Sequence, residues 1–424
     1  MITTKVLKNN MTFLGHKIKD VRSVSFSFWI RSGVVTEAAG EYGMSHFLEH
    51  MLFKGTPRLN SKEIAHASDL LGGNINAYTT KEHVCLYGKV LDEDFIEALT
   101  ILSDMLNQPL MAGGDIEKEK KVVLDEIAMY NDTPEELGYD VLCKILFPET
   151  HYGMPILGQK DTVSEFTQEE LLAYYKKRFN TGEIIFSIAG NYDEDETMIF
   201  LENAFTQYIG DEALPVMEAK LAKTHSGYEY IEKDLEQIHV HIGFKGLQFN
   251  DSDSYPLMAL NNILGGTSSS RLFQKIREEH GLAYNIDTQP VFYRNGGFFN
   301  LYFSSSQGEV EDTVQLIIEE LKKIKEGDIS EDEYKVAISN LKVNYLMGLE
   351  TSEDHMNFMG KSFYYLNRII TNEEIVEEID RISVERVLHL AKDILSGDTV
   401  AVSVVGPLSE ERTEAIYKKF STEL

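Results

Sequence analysis

Residues 46–50 read His-Phe-Leu-Glu-His, two imidazoles four positions apart with a carboxylate just before the second. On an α-helix, positions i, i+3 and i+4 share one face. His46 and His50 can then chelate one ion while Glu49 points at the same region. Two imidazoles and a carboxylate suit zinc, with a fourth position left for water. Water bound there ionises near neutral pH, and a nearby carboxylate can take its proton as it attacks a carbonyl carbon. The competing reading is a histidine pair on a solvated helix face, since five residues alone specify little.

A third ligand is required, acidic and on another element. In "DIEKEKKVVLDEIAMYN", Glu119 and Glu126 stand seven apart, two turns along one helical face. Asp125 is adjacent but points about 100° away. An acidic stretch of this kind is otherwise a charged surface helix.

The elements that must position these residues come in two copies of one plan. "VRSVSFSFWIRSG" alternates Val24, Phe26, Phe28 and Ile30, a half-buried strand, and a loop and the HFLEH helix follow, ending at "MLFKGT". In the second half "EQIHVHIGFKG" is again an alternating strand, followed by the apolar helix "YPLMALNNILGGT". Paired strands come next in both halves, "NINAYTTKEHVCLYGKV" and "GLAYNIDTQPVFYRNGGFFNLYFSSS". Two helices and then a helix leading into a closing strand complete each copy. The predicted fold is α+β: two homologous repeats, each a mainly antiparallel sheet with helices packed on one side. The repeats are expected at 1–215 and 229–424, joined by a linker over 216–228.

Aligning "MLFKGT" on "NILGGT" sets His46, Glu49 and His50 opposite Leu257, Leu260 and Asn261. A fold that tolerates leucine there does not need histidine for packing. Near the position of Glu119 the second copy keeps Asp332, but near that of Glu126 it has only Ser339 or Asn340. The Glu126 carboxylate vanishes together with the histidines. That joint loss favours Glu126 as the third ligand and Glu119 as a carboxylate supporting the ligands.

Other residues are suited to contacts with a substrate. "GGNINAYTT" opens on two glycines and carries few bulky side chains, a plausible edge strand to which an extended peptide could add. In "RLFQKIREEHGLAYNI", Arg277 and Tyr284 stand seven apart with Gly281 between them as a helix C′ residue. Arginine and a tyrosine hydroxyl can hydrogen-bond a peptide carbonyl or a tetrahedral oxyanion; the plainer reading is a surface arginine. "GGTSSSR" lacks the Lys-Ser/Thr ending of a phosphate loop. His239 and His241 share a strand face without an acidic or cysteine partner, and read as core or edge histidines.

At 424 residues the chain exceeds one ordinary core, and its 43% apolar and 26% charged composition is that of a globular protein. The net charge of −29 opposes nucleic-acid binding, which depends on neutralised phosphates. It would draw cationic peptides if concentrated in a cleft. No run of 18 apolar residues predicts a membrane span, and the N-terminus does not read as a signal peptide. Cys85 and Cys143 are too few for a disulfide framework, so a reduced, cytoplasmic address is expected.

His46-Phe-Leu-Glu49-His50 with Glu126 lying 76 positions beyond His50 resembles the inverted zinc motif of the pitrilysin family of peptidases. The likeness extends over nearly the whole chain, through "GGNINAYTTKEHVCLY" and "SSSRLFQKIREEHGLAYNI", and its length matches the short two-domain branch. The resemblance implies a metalloendopeptidase that hydrolyses extended or unfolded peptides inside a closed chamber. His46, His50 and Glu126 would bind one zinc per chain, Glu49 would activate zinc-bound water, and Glu119 would support the site. Asn76 and Ala77 would contact substrate beside the scissile bond, and Arg277 and Tyr284 would line the chamber. In fused relatives the zinc lies in the first quarter and the Arg–Tyr pair in the last. A two-domain chain is therefore expected to work as a homodimer, or with a paralogue, taking that pair from its partner. The alternative is a non-catalytic subunit or scaffold, but relatives of that kind lose ligands and these are all present. A zinc store, a third reading, would have no use for Glu49.

Overall fold

Eleven strands in two sheets carry the described part of the protein, a computed structural model covering residues 2–148, 150–206 and 222–424. The first sheet contains β1 (Ile2–Val6), β2 (Thr12–Lys17), β3 (Ser23–Ile30), β4 (Asn74–Thr79), β5 (Val84–Leu91) and β6 (Ile184–Gly190). Its order is β1-β2-β6-β3-β5-β4, antiparallel except for the β2–β6 pair. The second contains β7 (Gly227–Glu232), β8 (Ile238–Lys245), β9 (Ala283–Tyr293), β10 (Gly296–Ser305) and β11 (Ala401–Gly406). Its order, β7-β11-β8-β10-β9, repeats the first sheet without β1, and again one pair, β7–β11, is parallel. The duplicated α+β plan read from the sequence is present, mainly antiparallel in both copies.

The compact units do not coincide with the contiguous repeats 1–215 and 229–424. The first unit runs to Ala128, resumes at Met154, and takes in Gly348–Ile369 from the second half. The second unit takes Met129–Gly153 from the first half. Of the linker expected over 216–228, residues 216–221 lie outside the described residues, and Gly227 and Tyr228 already belong to β7.

In the first unit, Phe26 and Phe28 of β3 and Phe186 of β6 face a core completed by Phe47, Leu48, Leu99 and Leu102, from helices of the same half. The strand's other face, with Ser25 and Ser27, reads as solvent-facing in the sequence, yet both serines are fully buried. Helix Ser352–Leu366 covers them. Ser25 Oγ lies 2.9 Å from Ser352 Oγ, and the Ser187 hydroxyl donates to Met356 O at 2.7 Å. Met356, Met359 and Tyr364 of that helix join Trp29, Leu14 and Ile185 in a second apolar cluster. Small residues allow this approach: a Cβ on Gly360 would stand 2.2 Å from Trp29 Nε1. In the second unit helix Pro134–Leu146 likewise packs on β8 and β11. Each sheet therefore has its own repeat's helices on one side and a borrowed helix on the other.

Candidate metal centre

Helix Met44–Leu52 presents the HFLEH residues. Phe47, Leu48, Met51 and Leu52 are fully buried in the first core, which fixes the rotation of the helix and leaves His46, Glu49 and His50 on its other face. Its start is fixed as firmly. Gly43, the N-cap, has φ 93, and a Cβ there would come within 2.7 Å of Leu157 O. With no side chain at the cap, Glu37 reaches in from the preceding loop. Its carboxylate accepts the Gly43 and Ser45 N–H groups at 2.9 and 2.8 Å, satisfying donors that a helix N-terminus leaves unpaired. Burial pushes the Glu37 carboxyl up to about 7, against these backbone hydrogen bonds.

The third acidic residue comes from helix Gly113–Asp132, where Ile116 and Val123 face the core beside Glu119. Glu126 Oε2 stands 3.7 Å from His46 Nε2 and 3.5 Å from His50 Nε2, and the two rings lie 4.6 Å apart. Among the described residues this is the one group of three His, Cys, Asp or Glu whose ligand atoms all fall within 4.8 Å of one another. Tetrahedral coordination with bonds of about 2.0–2.1 Å needs ligand atoms separated by about 3.3 Å. The donor set therefore fits zinc in both atom type and spacing.

The surroundings shift the two histidines in opposite directions. Burial, then the neighbouring His50 ring, holds His46 neutral by lowering its pKa to about 3. His50 Nδ1 lies 2.8 Å from Glu119 Oε1. An ionised carboxylate only accepts, so Nδ1 carries the hydrogen, and Nε2 of the neutral ring keeps its lone pair toward Glu126. For His50, burial opposes charge but is outweighed by the Glu119 hydrogen bond and the fields of Glu126, Glu119 and Glu49, so its pKa is raised. Burial raises the Glu126 carboxyl too. At Glu119 burial is overcome by hydrogen bonds from His50 and Lys54, which hold it below the ordinary range.

Glu49 lies beside the ligands, held by the Thr79 hydroxyl, which donates to its Oε2 at 2.5 Å. Burial raises its pKa against that hydrogen bond and the nearby His50. A carboxylate made more basic by burial and restrained in direction is suited to receive a proton. Thr79 ends β4, which among the described residues pairs with β5 alone and so forms an edge of its sheet. Asn76 and Ala77 are on the same strand. Asn76 is exposed, and its Oδ1 accepts the N–H of Ala77 at 2.9 Å.

Arg277 and Tyr284 lie in the second unit. The Arg277 guanidinium stands 4.7 Å from the ring centres of both Phe273 and Tyr284, and Tyr284 is 68% exposed. Gly281, between them, has φ 64 and follows the cap of helix Phe273–Glu279 as expected. His239 bonds Tyr302, and His241 bonds Asn300 and Glu135 O, so both serve the second sheet. Sequence reasoning missed three contributors: Glu37, Thr79 and Lys54. Lys54 alone left a trace, since Gly265 stands at its position in "NILGGT".

A duplicated α+β chain with a His-His-Glu centre and an adjacent carboxylate defines a class, and comparison places the chain within it. Residues 15–160 match the family described as Insulinase (Peptidase family M16), and residues 165–341 match the Peptidase M16 inactive domain. An uncharacterized zinc protease of Bacillus subtilis is 34% identical over 402 residues, 95% of each chain. One of Rickettsia felis is 35% identical over 95% of this chain and 96% of its own. The chain belongs to peptidase family M16. Among solved structures, a peptidase M16 inactive domain from Pseudomonas fluorescens shares the fold, with a TM-score of 0.88 at 18% identity, covering 96% of this chain and 98% of that one. A protease from Helicobacter pylori matches with the same score and identity over 96% and 99%.

Proposed function

We propose that the chain is a zinc metalloendopeptidase acting on extended or unfolded peptides. The observation that carries this reading is the convergence of His46, His50 and Glu126 with Glu49, whose carboxylate is tied to the end of an edge strand. Zinc in such a set supplies Lewis acidity toward a peptide carbonyl. The remaining work falls to the chain. Glu119 fixes the tautomer of His50, leaving the Nε2 lone pair available to hold the ion. Glu49 takes a proton from the attacking water and can hand it to the departing amine. The free edge of β4, with Asn76 and Ala77, offers backbone hydrogen bonds that hold a peptide extended without reading its side chains.

The working unit in this reading is a dimer, two copies or one copy with a paralogue. Arg277 and Tyr284 of the partner subunit close over the peptide at the zinc centre and stabilise the oxyanion. Support comes from Tyr284, whose ring is largely exposed in the single chain and backed by Arg277. The cytoplasm is the proposed location. Among the described residues no helix is long and apolar enough to cross a membrane, and both cysteines are buried and in no disulfide. The test is zinc content together with mass spectrometry of products from a random peptide pool. The reading expects one zinc per chain and internal cleavages that stop when a chelator removes the metal. Two tightly held ions, or no products from metal-replete protein, would count against it.

A further inference from the structure

We propose that Lys54 is a positioning residue for the metal ligands, acting on His50 through Glu119. The inference rests on the zinc reading above and extends it to a residue outside the ligand set. Lys54 follows the HFLEH helix by two residues, and its Nζ stands 2.6 Å from Glu119 Oε2. The other oxygen of that carboxylate, Oε1, is 2.8 Å from His50 Nδ1. One carboxylate thus bridges a lysine and a ligand, with each oxygen engaged once.

The burial of Glu119 makes the lysine matter. Glu119 is 4% exposed, and a carboxylate so placed needs a partner for each of its oxygens. Among the described residues Lys54 is the one lysine or arginine within ion-pair distance of it. Without the lysine, Oε2 is left buried and unpaired, and the carboxylate is free to rotate. That change weakens its hold on the His50 Nδ1–H, and with it the presentation of Nε2.

The internal repeat supplies an independent argument. Where the second copy has Leu257 and Asn261 for the two histidines, it has Gly265 for Lys54. It nevertheless keeps an acidic residue, Asp332, near the position of Glu119. The lysine is absent from the copy without ligands, although an acidic partner survives there. A lysine serving only the negative end of its helix would be equally useful in both copies.

The experiment is a zinc titration of the full chain, stripped of metal, against a chromophoric chelator of known affinity. Lys54→Met is expected to weaken zinc binding by about tenfold, the lower end of the range for residues that support metal ligands. Lys54→Arg, which restores a cation, should recover most of that loss. Glu119→Gln should lose at least as much as Lys54→Met, and the double variant should bind no more weakly than Glu119→Gln alone, because the lysine acts through that carboxylate. Wild-type affinity in Lys54→Met overturns the proposal, as does a double variant whose loss is the product of the two single losses. Failure of Lys54→Arg to improve on Lys54→Met overturns it as well, since packing and not charge would then be at stake. A wild-type chain that takes up no zinc rejects the underlying zinc reading itself, an outcome distinct from these.

Discussion

At the scale of single residues, the site combines side chains whose positions follow from helix spacing with others that only the fold brings in. His46, Glu49 and His50 could be read because i, i+3 and i+4 share a face, and Glu126 because its carboxylate disappears from the second copy along with the histidines. Thr79 carried no such signal. Its role depends on strand alternation turning it, like Ala77, toward the HFLEH helix, and on β4 ending beside Glu49. Thr79→Val keeps the shape and removes the hydroxyl that restrains the base. A hydrogen bond to a charged group contributes about 1.5 kcal/mol or more, so kcat should fall by about tenfold with zinc content unchanged. Thr79→Ser should stay near the wild-type rate. Steady-state kinetics beside elemental analysis checks this, and a wild-type rate in Thr79→Val removes the threonine from the account.

At the scale of elements, the start of the HFLEH helix is set by a residue that is not part of it. Glu37 is almost wholly buried, and its carboxyl is raised from 4.5 to about 7, chiefly by burial. The folded state then holds a proton that the unfolded chain has released between those two values, so stability falls as pH rises through that window. A shift of this size corresponds to roughly 3 kcal/mol between pH 4.5 and 7. Glu37→Gln, which cannot ionise, should flatten that part of the pH dependence, at a fixed cost from the acceptor it lacks. Urea unfolding of both proteins across this range measures the difference, and parallel pH profiles would show that Glu37 does not titrate there. The strands and helices of both copies were legible from period and punctuation. The borrowed helices were not. Ser25 and Ser27 look like the wet side of an alternating strand, and nothing local to "VRSVSFSFWIRSG" reveals that Ser352–Leu366 will cover them. Pairing of that kind is set by tertiary packing, to which a hydrophobicity pattern is blind.

At the scale of the whole molecule, the described residues of the duplicated chain hold a His-His-Glu group in the first half and none in the second, whose Arg277 and Tyr284 are proposed to serve a neighbouring copy. Complementation tests this. Inactive Glu49→Gln mixed with inactive Tyr284→Phe should regain up to about half of the activity per heterodimer once subunits exchange, because one chamber then holds an intact base and an intact tyrosine. A mixture that stays inactive despite demonstrated exchange assigns Tyr284 to its own chain or to no catalytic part. The peptidase reading depends on one claim, that Glu49 is the base beside a zinc held by His46, His50 and Glu126. The measurement that tests it most directly is zinc content and peptide hydrolysis of Glu49→Gln in parallel with the wild type. The account predicts an unchanged zinc content with hydrolysis lower by at least ~10²-fold, the usual scale for loss of a general base. Zinc retained together with near wild-type cleavage would contradict it.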